Sequence, residues 1–428
     1  MSEKFESKEY KLSRKAYIAQ CTFEYFITIL VTDAYLAKML SHQGISDGMI
    51  GIISSFVSLA FLFQLLAIFL AERVKNTKKT VIVFDSVFQV MHISLYIVPF
   101  MPFSTSTKTV IIVSLIILGY LCKYAVSSML FKWANSYVEP SKRARYSANK
   151  EMISLITGMV FTFGVGYIID KYEAIGNIEG GFLFIAIAIF ILSIASFVSL
   201  MLIKKDTTPE KTEKTSSLKD VMKNTLGNKN FINVIILTVL WDSARYTTIG
   251  FMGIYKTKDL MLTVGTVQII NIVGNLFRFF LSKPIGRYSD KTSFTKGFKL
   301  ALCIAAVGFL VNSFSTPSTV WCVVLFTILN AVSMAGTNQN SMNIVYSYVD
   351  SEYFVQATAI KNSIGGICGF LASVGGSKLL EAIQNNGNMV FGLHIYGQQV
   401  LSMISFGLVV ITILFVKLRM EKQEVLKQ

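Results

Sequence analysis

The sequence predicts an all-α integral membrane protein whose twelve transmembrane helices form two bundles of six. Three observations predict this fold class. Of the 428 residues, 53% are hydrophobic and 15% are charged, whereas soluble domains carry roughly 25% charged residues. Apolar runs of about 20 residues, the length that crosses a bilayer as a helix, recur along the chain. One long polar segment divides these runs in the middle.

Each apolar run is predicted to be a helix, because lipid requires every backbone polar group to be bonded within the segment. The polar segment 204–230, rich in Lys, Ser and Thr, is predicted to be a cytoplasmic linker. It separates an N-terminal half, 1–203, from a C-terminal half, 231–428. The twelve predicted spans are 16–39, 48–71, 80–101, 109–132, 146–169, 181–203, 231–255, 262–282, 298–316, 319–345, 355–380 and 394–416.

The positive charges favour one orientation. With the N-terminus inside, 29 of the 40 Lys and Arg residues fall in cytoplasmic segments and 6 in external ones. This bias predicts that both termini and the linker are cytoplasmic. The net charge of +15 does not indicate a nucleic-acid partner, because the basic residues lie in short loops between apolar runs. We expect a multi-pass protein of the cell membrane, surrounded by lipid and functioning as a monomer.

The two halves resemble each other in sequence, which indicates a duplicated six-helix unit. At an offset of 218 residues Glu24 aligns with Asp242, and at an offset of 211 Lys150 aligns with Lys361. The same ordered series aligns Lys38 with Lys256, Tyr137 with Tyr348, Gly158 with Gly369, and Gly164 with Gly375.

A charged stretch follows the eighth predicted span. Gly286 is followed after three residues by Asp290 and then by Lys291. In the first half, Glu72 and Arg73 occupy the corresponding acidic and basic positions, but no glycine precedes them. Six plus six spans, a central linker and this paired loop make the chain resemble the major facilitator superfamily, of the bacterial type, over essentially its whole length.

The resemblance implies two pseudo-symmetric bundles that expose a central site alternately to the two sides of the membrane. It also implies that the paired loop forms a cytoplasmic gate. A carboxylate at a helix end can meet the positive N-terminus of a neighbouring helix, and in this family the neighbours would be spans five and eleven. The alternative is a static charge cluster. The expected gate residues are Glu72, Arg73, Gly286, Asp290 and Lys291.

Ionisable residues inside the predicted spans mark candidate functional positions. Each costs about 2.5–3.5 kcal/mol at mid-helix on insertion scales. The alternative is internal pairing, as for Asp242 and Arg245, which are three residues apart. The intramembrane ionisable residues are Glu24, Asp33, Asp85, Lys123, Lys150, Glu151, Asp242, Arg245, Arg278 and Lys361.

Polar residues also recur at helical spacing in two spans. One stripe comprises Gln268, Asn271, Asn275 and Arg278; the other comprises Asn330, Ser333, Thr337 and Asn340. Such faces avoid lipid, so they predict a water-filled cavity or, alternatively, interhelical hydrogen bonds. The residues predicted to form the substrate and proton-coupling cavity are Glu24, Asp33, Lys123, Asp242, Arg245, Asn271, Asn275, Arg278, Asn330, Thr337 and Lys361.

These features predict a secondary transporter that binds a small polar solute, such as a sugar or an organic metabolite, and uses a proton as its coupling ion. One alternative is efflux of amphipathic compounds, favoured by the aromatic content of 13%. Another is a receptor that binds a ligand without moving it. We expect no enzyme activity, catalytic residue, cofactor or metal. The G-x-S-x-G match at Gly44 is not preceded by a strand, which the nucleophile elbow requires.

Overall fold

The computed structural model describes residues 5–66, 70, 74, 76–139, 142–204, 227–349, 354–390 and 392–421. These residues are mostly helical and belong to two compact units. The first unit comprises Met1–Ile45 with Phe63–Thr215, and the second comprises Ser46–Leu62 with Ser216–Gln428. Residues 46–62, part of the N-terminal half by sequence, thus pack within the second unit. Of the predicted linker 204–230, all but Lys204 and 227–230 lies outside the described residues.

The helices follow one another along the chain with short connections. The α-helices are α1 Lys8–Leu30, α2 Asp33–His42, α3 Asp47–Leu59, α4 Thr77–Leu95, α5 Thr105–Asn135, α6 Arg143–Ala174, α7 Ile178–Leu202, α8 Lys229–Ile249, α9 Met252–Ile254, α10 Val264–Lys291, α11 Phe294–Asn312, α12 Val320–Tyr348, α13 Phe354–Asn385 and α14 Gly397–Phe415. Short 3₁₀ turns cover Ala60–Phe63 and Val98–Phe100, and π-helical turns cover Tyr255–Asp259 and Val416–Met420. A hairpin of β1 Met389–Val390 and β2 Leu393–His394, not predicted from the sequence, precedes α14.

Short polar residues determine where many of these helices begin. An N-cap side chain accepts a hydrogen bond from a backbone N–H of the first turn, which has no partner within the helix. Ser46 accepts from the N–H of Met49 at the start of α3, for example. The other caps of this kind are Ser7, Asn76, Ser104, Asn177, Asn228, Thr263 and Ser293.

A helix lies at each of the twelve predicted spans. Within the described residues, nine helices are long and apolar enough to cross a membrane. The helices at predicted spans one, three and seven are not among those nine. These three are the more polar ones, because they carry Glu24, Asp85 and Asp242 together with further charged residues. The helices with the weakest apolar signal therefore each carry an intramembrane acid, whereas the candidate bases Lys123, Arg278 and Lys361 lie on helices among the nine.

The first predicted span is interrupted: α1 ends at Leu30 and α2 begins at Asp33. Carbonyl groups at the interruption accept hydrogen bonds from side-chain hydroxyls. The hydroxyl of Thr32 donates to the carbonyl of Thr28 at 3.0 Å, and the hydroxyl of Tyr96 donates to the carbonyl of Leu30. A broken helix is tolerated at membrane depth only when its free backbone groups are bonded in this way.

The seventh predicted span is interrupted at the matching place. α8 ends at Ile249 and α9 begins at Met252. Subtracting the offset of 218 residues places this interruption within one residue of the break between α1 and α2. The two halves therefore share a backbone irregularity as well as aligned residues. In the first half, the polar residues Thr32 and Asp33 inside an apolar run mark the position of the interruption in the sequence.

In the second unit, the segment 46–62 packs closely along α13. The hydroxyls of Ser55 and Ser373 are 2.6 Å apart and buried. A Cβ on Gly366 would lie 2.1 Å from the carbonyl oxygen of Ser58. Small residues on both helices therefore allow their backbones to approach, as is common between helices in membranes. Gly366 therefore serves helix packing.

The charged stretch after the eighth span differs from its prediction as a loop. α10 continues to Lys291, nine residues beyond the predicted end of the span at 282. In this last part, Ile285, Gly286 and Ser289 are buried, whereas Arg287 and Lys291 are exposed. Buried residues at helical spacing explain why the helix persists despite its charges.

Candidate functional site

The first unit contains a buried ion pair between two residues that the sequence marked separately. Nζ of Lys123 on α5 lies 2.7 Å from Oε1 of Glu24 on α1, although 99 positions separate them in the chain. The side chains retain 16% exposure for Glu24 and 23% for Lys123. Since the pair is not sealed completely, water or a solute can reach it. Apolar groups of similar volume would often stabilise packing at least as well as a buried ion pair.

Neutral groups complete the coordination of this pair. Gln20 donates from Nε2 to Oε2 of Glu24 at 2.8 Å, so both carboxylate oxygens are bonded. The ammonium of Lys123 is also 3.4 Å from the hydroxyl of Thr28 and 4.8 Å from the centroid of the Phe88 ring. An aromatic face attracts a cation. The lysine is therefore held by a carboxylate and a hydroxyl from α1 and by a ring from α4.

A second carboxyl, Asp85 on α4, is part of the same region. It was noted as an intramembrane acid but not predicted as a site residue. Asp85 is buried and accepts a hydrogen bond from Gln89, whose amide also donates to the hydroxyl of Ser196 at 3.0 Å. Spacing indicates only that Asp85 and Gln89 share a helix face. Their closeness to Lys123 depends on helix packing.

Asp33 lies at the interruption between α1 and α2. Its φ of 47° is in the left-handed region, which most non-glycine residues avoid but Asp tolerates better. Strained backbone of this kind is concentrated at functional sites. Asp33 thus remains a candidate cavity residue on the strength of its position in the chain and its backbone.

The second unit holds Asp242, Arg245 and Lys361. A Cβ on Gly365 would lie 2.5 Å from Oδ2 of Asp242, so the carboxylate lies directly against α13, one turn from Lys361. Nζ of Lys361 donates to the hydroxyl of Ser341 on α12 at 2.7 Å. Lys361 is 4% exposed, so its charge is buried with a neutral first partner. The carboxylate of Asp242 lies within the electrostatic field of both basic residues.

Asp242 and Arg245 do not form a direct ion pair on their own helix in the part of the chain that the structure describes. Instead, the guanidinium of Arg245 lies 5.1 Å from the ring centroid of Tyr246. Its buried Nε has no hydrogen-bond partner among the described residues. The arrangement places more positive than negative charge in this region, which suits contact with an electron-rich group.

The polar stripe of α10 lies on one face, as its spacing predicted. Gln268 is buried, and Asn271, Asn275 and Arg278 are half-buried. The opposite face carries exposed apolar side chains, among them Phe280 at 69% exposure. The amides and the guanidinium therefore point away from the surface that fits lipid.

The stripe of α12 is bonded largely within its own helix. Thr337 is buried and donates to the carbonyl of Ser333 at 3.1 Å, and Asn340 donates to the carbonyl of Gly336 at 2.8 Å. The hydroxyl of Thr337 therefore bonds its own helix. Asn330 and Asn340 each have a buried Oδ1 without a partner in the described structure.

The structure describes only the second copy of the predicted gate motif. Gly286 is buried, and Asp290 and Lys291 are exposed at the end of α10. Asp290 forms no ion pair with any residue within the described ranges. Glu72 and Arg73 lie outside the described residues. Among the described residues, no group of three His, Cys, Asp or Glu side chains is placed to hold a metal ion.

Comparison with known proteins agrees with this architecture. The family model of the Major Facilitator Superfamily matches residues 16–373. A search among curated sequences found no match. A variant of the nucleoside transporter NupG aligns with a TM-score of 0.72 at 14% identity, covering 96% of this chain and 99% of that one. A bacterial homologue of the iron transporter ferroportin gives 0.70 at 11% identity, with coverage of 96% and 98%.

A bacterial homologue of the human lysosomal transporter Spinster, in an inward-facing and unoccupied conformation, aligns with a TM-score of 0.68 at 13% identity. The alignment covers 96% of each chain. At these identities the solved structures establish similarity of fold. Their different cargoes show that this fold alone does not name a substrate.

Proposed function

Because the chain belongs to the major facilitator superfamily, we propose that it is a secondary transporter that moves a small polar solute across the cell membrane by alternating access. Membership makes it a multi-pass membrane transporter rather than an enzyme. The finer proposal concerns the class of solute, the coupling ion and the residues that contact them. A sugar or another small organic metabolite is the proposed class.

The proposed topology has twelve crossings, with both termini and the linker 204–230 in the cytoplasm. Two pseudo-symmetric halves, 1–203 and 231–428, supply six helices each. The distribution of Lys and Arg supports the orientation, and the matched interruptions of spans one and seven support the duplication. Labelling of single cysteines from the two sides of the membrane, introduced near Gly176 and near Gly227, tests this topology.

The observation that carries the proposed solute class is the incompletely sealed pair of Glu24 and Lys123. In the structure Glu24 and Lys123 balance each other's charge, and both side chains retain some exposure. A polar solute can replace part of this bonding by offering hydroxyl, amide or charged groups of its own. An apolar solute cannot, because it would leave the carboxylate and the ammonium without partners.

We propose that further solute contacts come from the polar residues of the second unit. Lys361 and Arg245 retain unused donor capacity, and Asn271 and Asn275 lie half-buried on the polar face of α10. Asp33 and Asp242 are the further acids of the proposed site. Arg278 and Asn330 extend the same polar faces along α10 and α12. Thr337 lies on the same face of α12 and remains a proposed cavity residue.

A thermal-shift screen of the purified protein against a metabolite library tests the solute class. Hits among polar metabolites support the proposal, and hits only among amphipathic compounds support efflux instead. Each hit is retested with Glu24→Gln and with the matched control Glu173→Gln. Glu173 is also paired with a lysine, Lys38, but lies at the end of α6. The proposal expects the shift to be lost with Glu24→Gln alone.

Proton coupling is the proposed energy source, since intramembrane acids can exchange protons with the solute pathway. Vesicles containing the protein are given an imposed pH gradient, and uptake of the identified solute is followed. Uptake that follows the gradient and collapses with a protonophore supports coupling. Uptake that is independent of the pH gradient contradicts proton coupling. Binding without uptake supports the receptor alternative.

A further inference from the structure

Asp85 is a buried carboxyl of α4 to which the proposed transport function assigns no role. It is 5% exposed. Its Oδ2 accepts from Nε2 of Gln89, one turn further along α4, and that nitrogen also donates to Oγ of Ser196 on α7. Both groups are neutral, and Asp85 has no ion pair with any residue that the structure describes. An ionised carboxylate buried without a cation is costly, so it tends to be neutralised by a proton.

Lys123 is the cation whose charge acts on this acid. Its Nζ lies 4.8 Å from the ring of Phe88, which follows Asp85 by three residues and therefore shares its face of α4. Glu24 and Lys123 are the charged groups whose fields act on Asp85. In the structure Lys123 pairs with Glu24, with its Nζ 2.7 Å from Oε1.

The other titratable groups around Asp85 do not supply a second cation. His92 on the same helix is buried, and its Nδ1 is bonded to the carbonyl of Phe88 at 2.8 Å. Lys150 acts on Glu24, but its ammonium lies over the ring of Tyr17 at 5.0 Å. From α7, residues 180–202 bring no charged side chain. The phenols of Tyr120 and Tyr124 flank Lys123 and are neutral in ordinary conditions.

We propose that Asp85 carries the coupling proton and that Lys123 is shared between Glu24 and Asp85. When Lys123 pairs with Glu24, Asp85 is protonated. When Lys123 turns to Asp85, the O–H bond of the acid breaks, and its proton leaves to water while the carboxylate keeps the bonding electrons. Glu24 then takes up a proton from water or holds a cationic group of the solute. The flexible four-carbon stem of lysine suits such an exchange.

When Glu24 takes up a proton, each arrangement leaves the three side chains with one ammonium, one carboxylate and one protonated acid; when Glu24 instead holds a cationic group of the solute, that group replaces the positive charge of the proton. The total buried charge therefore stays constant as the partners change. Gln89 suits both forms of Asp85, because its amide offers a donor and an acceptor. This inference rests on the proposed proton-coupled transport, but it makes a statement about protonation that does not require a solute.

The test is infrared spectroscopy of the protein in lipid vesicles at neutral pH, with no solute added. Protonated carboxyl groups give a carbonyl stretch that ionised ones lack. The proposal expects Asp85→Asn to remove one such band from the wild-type spectrum. Glu24→Gln should remove the same band, because Lys123 is then free to pair with Asp85. Lys123→Met should add a band, because two acids are then left without their cation.

Glu173→Gln is the control, since Glu173 pairs with Lys38 away from Asp85 and Lys123, and no protonated band should change. Asp85→Glu retains the acid and should shift the band instead of deleting it, which guards against misfolding of the Asn variant. An unchanged band in Asp85→Asn overturns the assignment of the proton. A band that survives in Glu24→Gln overturns the sharing of Lys123. If the bands change as expected but uptake does not follow the proton gradient, only the transport proposal is overturned.

Discussion

Nζ of Lys258 lies 2.8 Å from Oδ1 and 2.9 Å from Oδ2 of Asp47, so one ammonium binds both oxygens of a nearly inaccessible carboxylate. Asp47 is the first residue of α3, and Lys258 belongs to the π-helical turn that follows α9. Gln384 on α13 donates to the same carboxylate at 2.7 Å. This contact fixes the start of α3 to two other elements of the second unit.

The two partners of this ion pair should respond unequally to substitution. Lys258→Met leaves the Asp47 carboxylate buried with only Gln384, which should lower the free energy of unfolding by about 2 kcal/mol. Asp47→Asn removes the charge and keeps an acceptor for Gln384, at a cost of about 1 kcal/mol. The measurement is the unfolding midpoint in detergent.

Lys204→Met is the matched control for this pair. Lys204 also meets a glutamate, Glu9, but both side chains are substantially exposed. Exposed pairs contribute little to stability, so the control should unfold like the wild type. Equal destabilisation by Lys258→Met and Lys204→Met would show that the burial of Asp47 has no energetic consequence.

The neighbouring acid Asp259 makes stability depend on pH. Burial, and then the negative charge of Asp47, raise the pKa of Asp259 from 3.8 to about 6, although Lys258 and Gln398 oppose the change. Because the folded state holds this proton more tightly than the unfolded state, its contribution to stability is complete below about pH 4 and is lost as pH rises through about 6.

The corresponding variant is Asp259→Asn, which cannot titrate. At neutral pH it should exceed the wild type in stability by on the order of 1–2 kcal/mol, allowing for partial exposure, and this advantage should shrink on acidification towards pH 4. The quantity to measure is the difference between the two unfolding midpoints across that range. A constant difference would mean that Asp259 does not titrate there.

Two glycines of α13 offer a matched comparison. A Cβ on Gly365 would lie 2.5 Å from the Asp242 carboxylate, whereas nothing lies within 4 Å of a Cβ on Gly375. Gly365→Ala should displace Asp242, lowering solute uptake and destabilising the fold by about 1–3 kcal/mol. Gly375→Ala should be neutral or stabilising by up to about 1 kcal/mol. Similar uptake by both variants would show that the position of Asp242 does not matter.

The helices could be predicted from the sequence because apolar length and charge distribution are local properties. The same approach identified Glu24 and Lys123, since each is an ionisable residue inside an apolar run. It could not pair them, because their contact depends on how α1 and α5 pack. The hydrogen bond of Lys361 to Ser341 was missed for the same reason, since a serine in a helix carries no signal of its own.

Two departures from expectation have physical causes that sequence periodicity does not contain. The break at 31–32 exists because side chains from elsewhere, including Tyr96, bond the released carbonyls. The helical continuation to Lys291 exists because one face of that turn is buried by neighbouring helices. In both places tertiary contacts determine the local structure.

The last prediction concerns the asymmetry of the paired gate motif. The second copy retains glycine at 286 and aspartate at 290, whereas the first has Glu72 and no glycine. The buried Gly286 leaves little space: a Cβ there would lie 3.1 Å from the side-chain amide of Gln339. A close fit at this copy is consistent with the proposal that its carboxylate bonds a neighbouring helix end when the gate closes.

Asp290→Asn should therefore impair solute uptake more than Glu72→Gln. In the structure Asp290 is exposed, so removing its charge should leave the unfolding midpoint nearly unchanged while slowing the closing step. Uptake rates in vesicles and unfolding midpoints are measured for both variants. A large loss of stability in Asp290→Asn would indicate a static structural charge, and equal or reversed effects on uptake would contradict the asymmetry. A selective loss of uptake in Asp290→Asn assigns the main gating contact to the second copy.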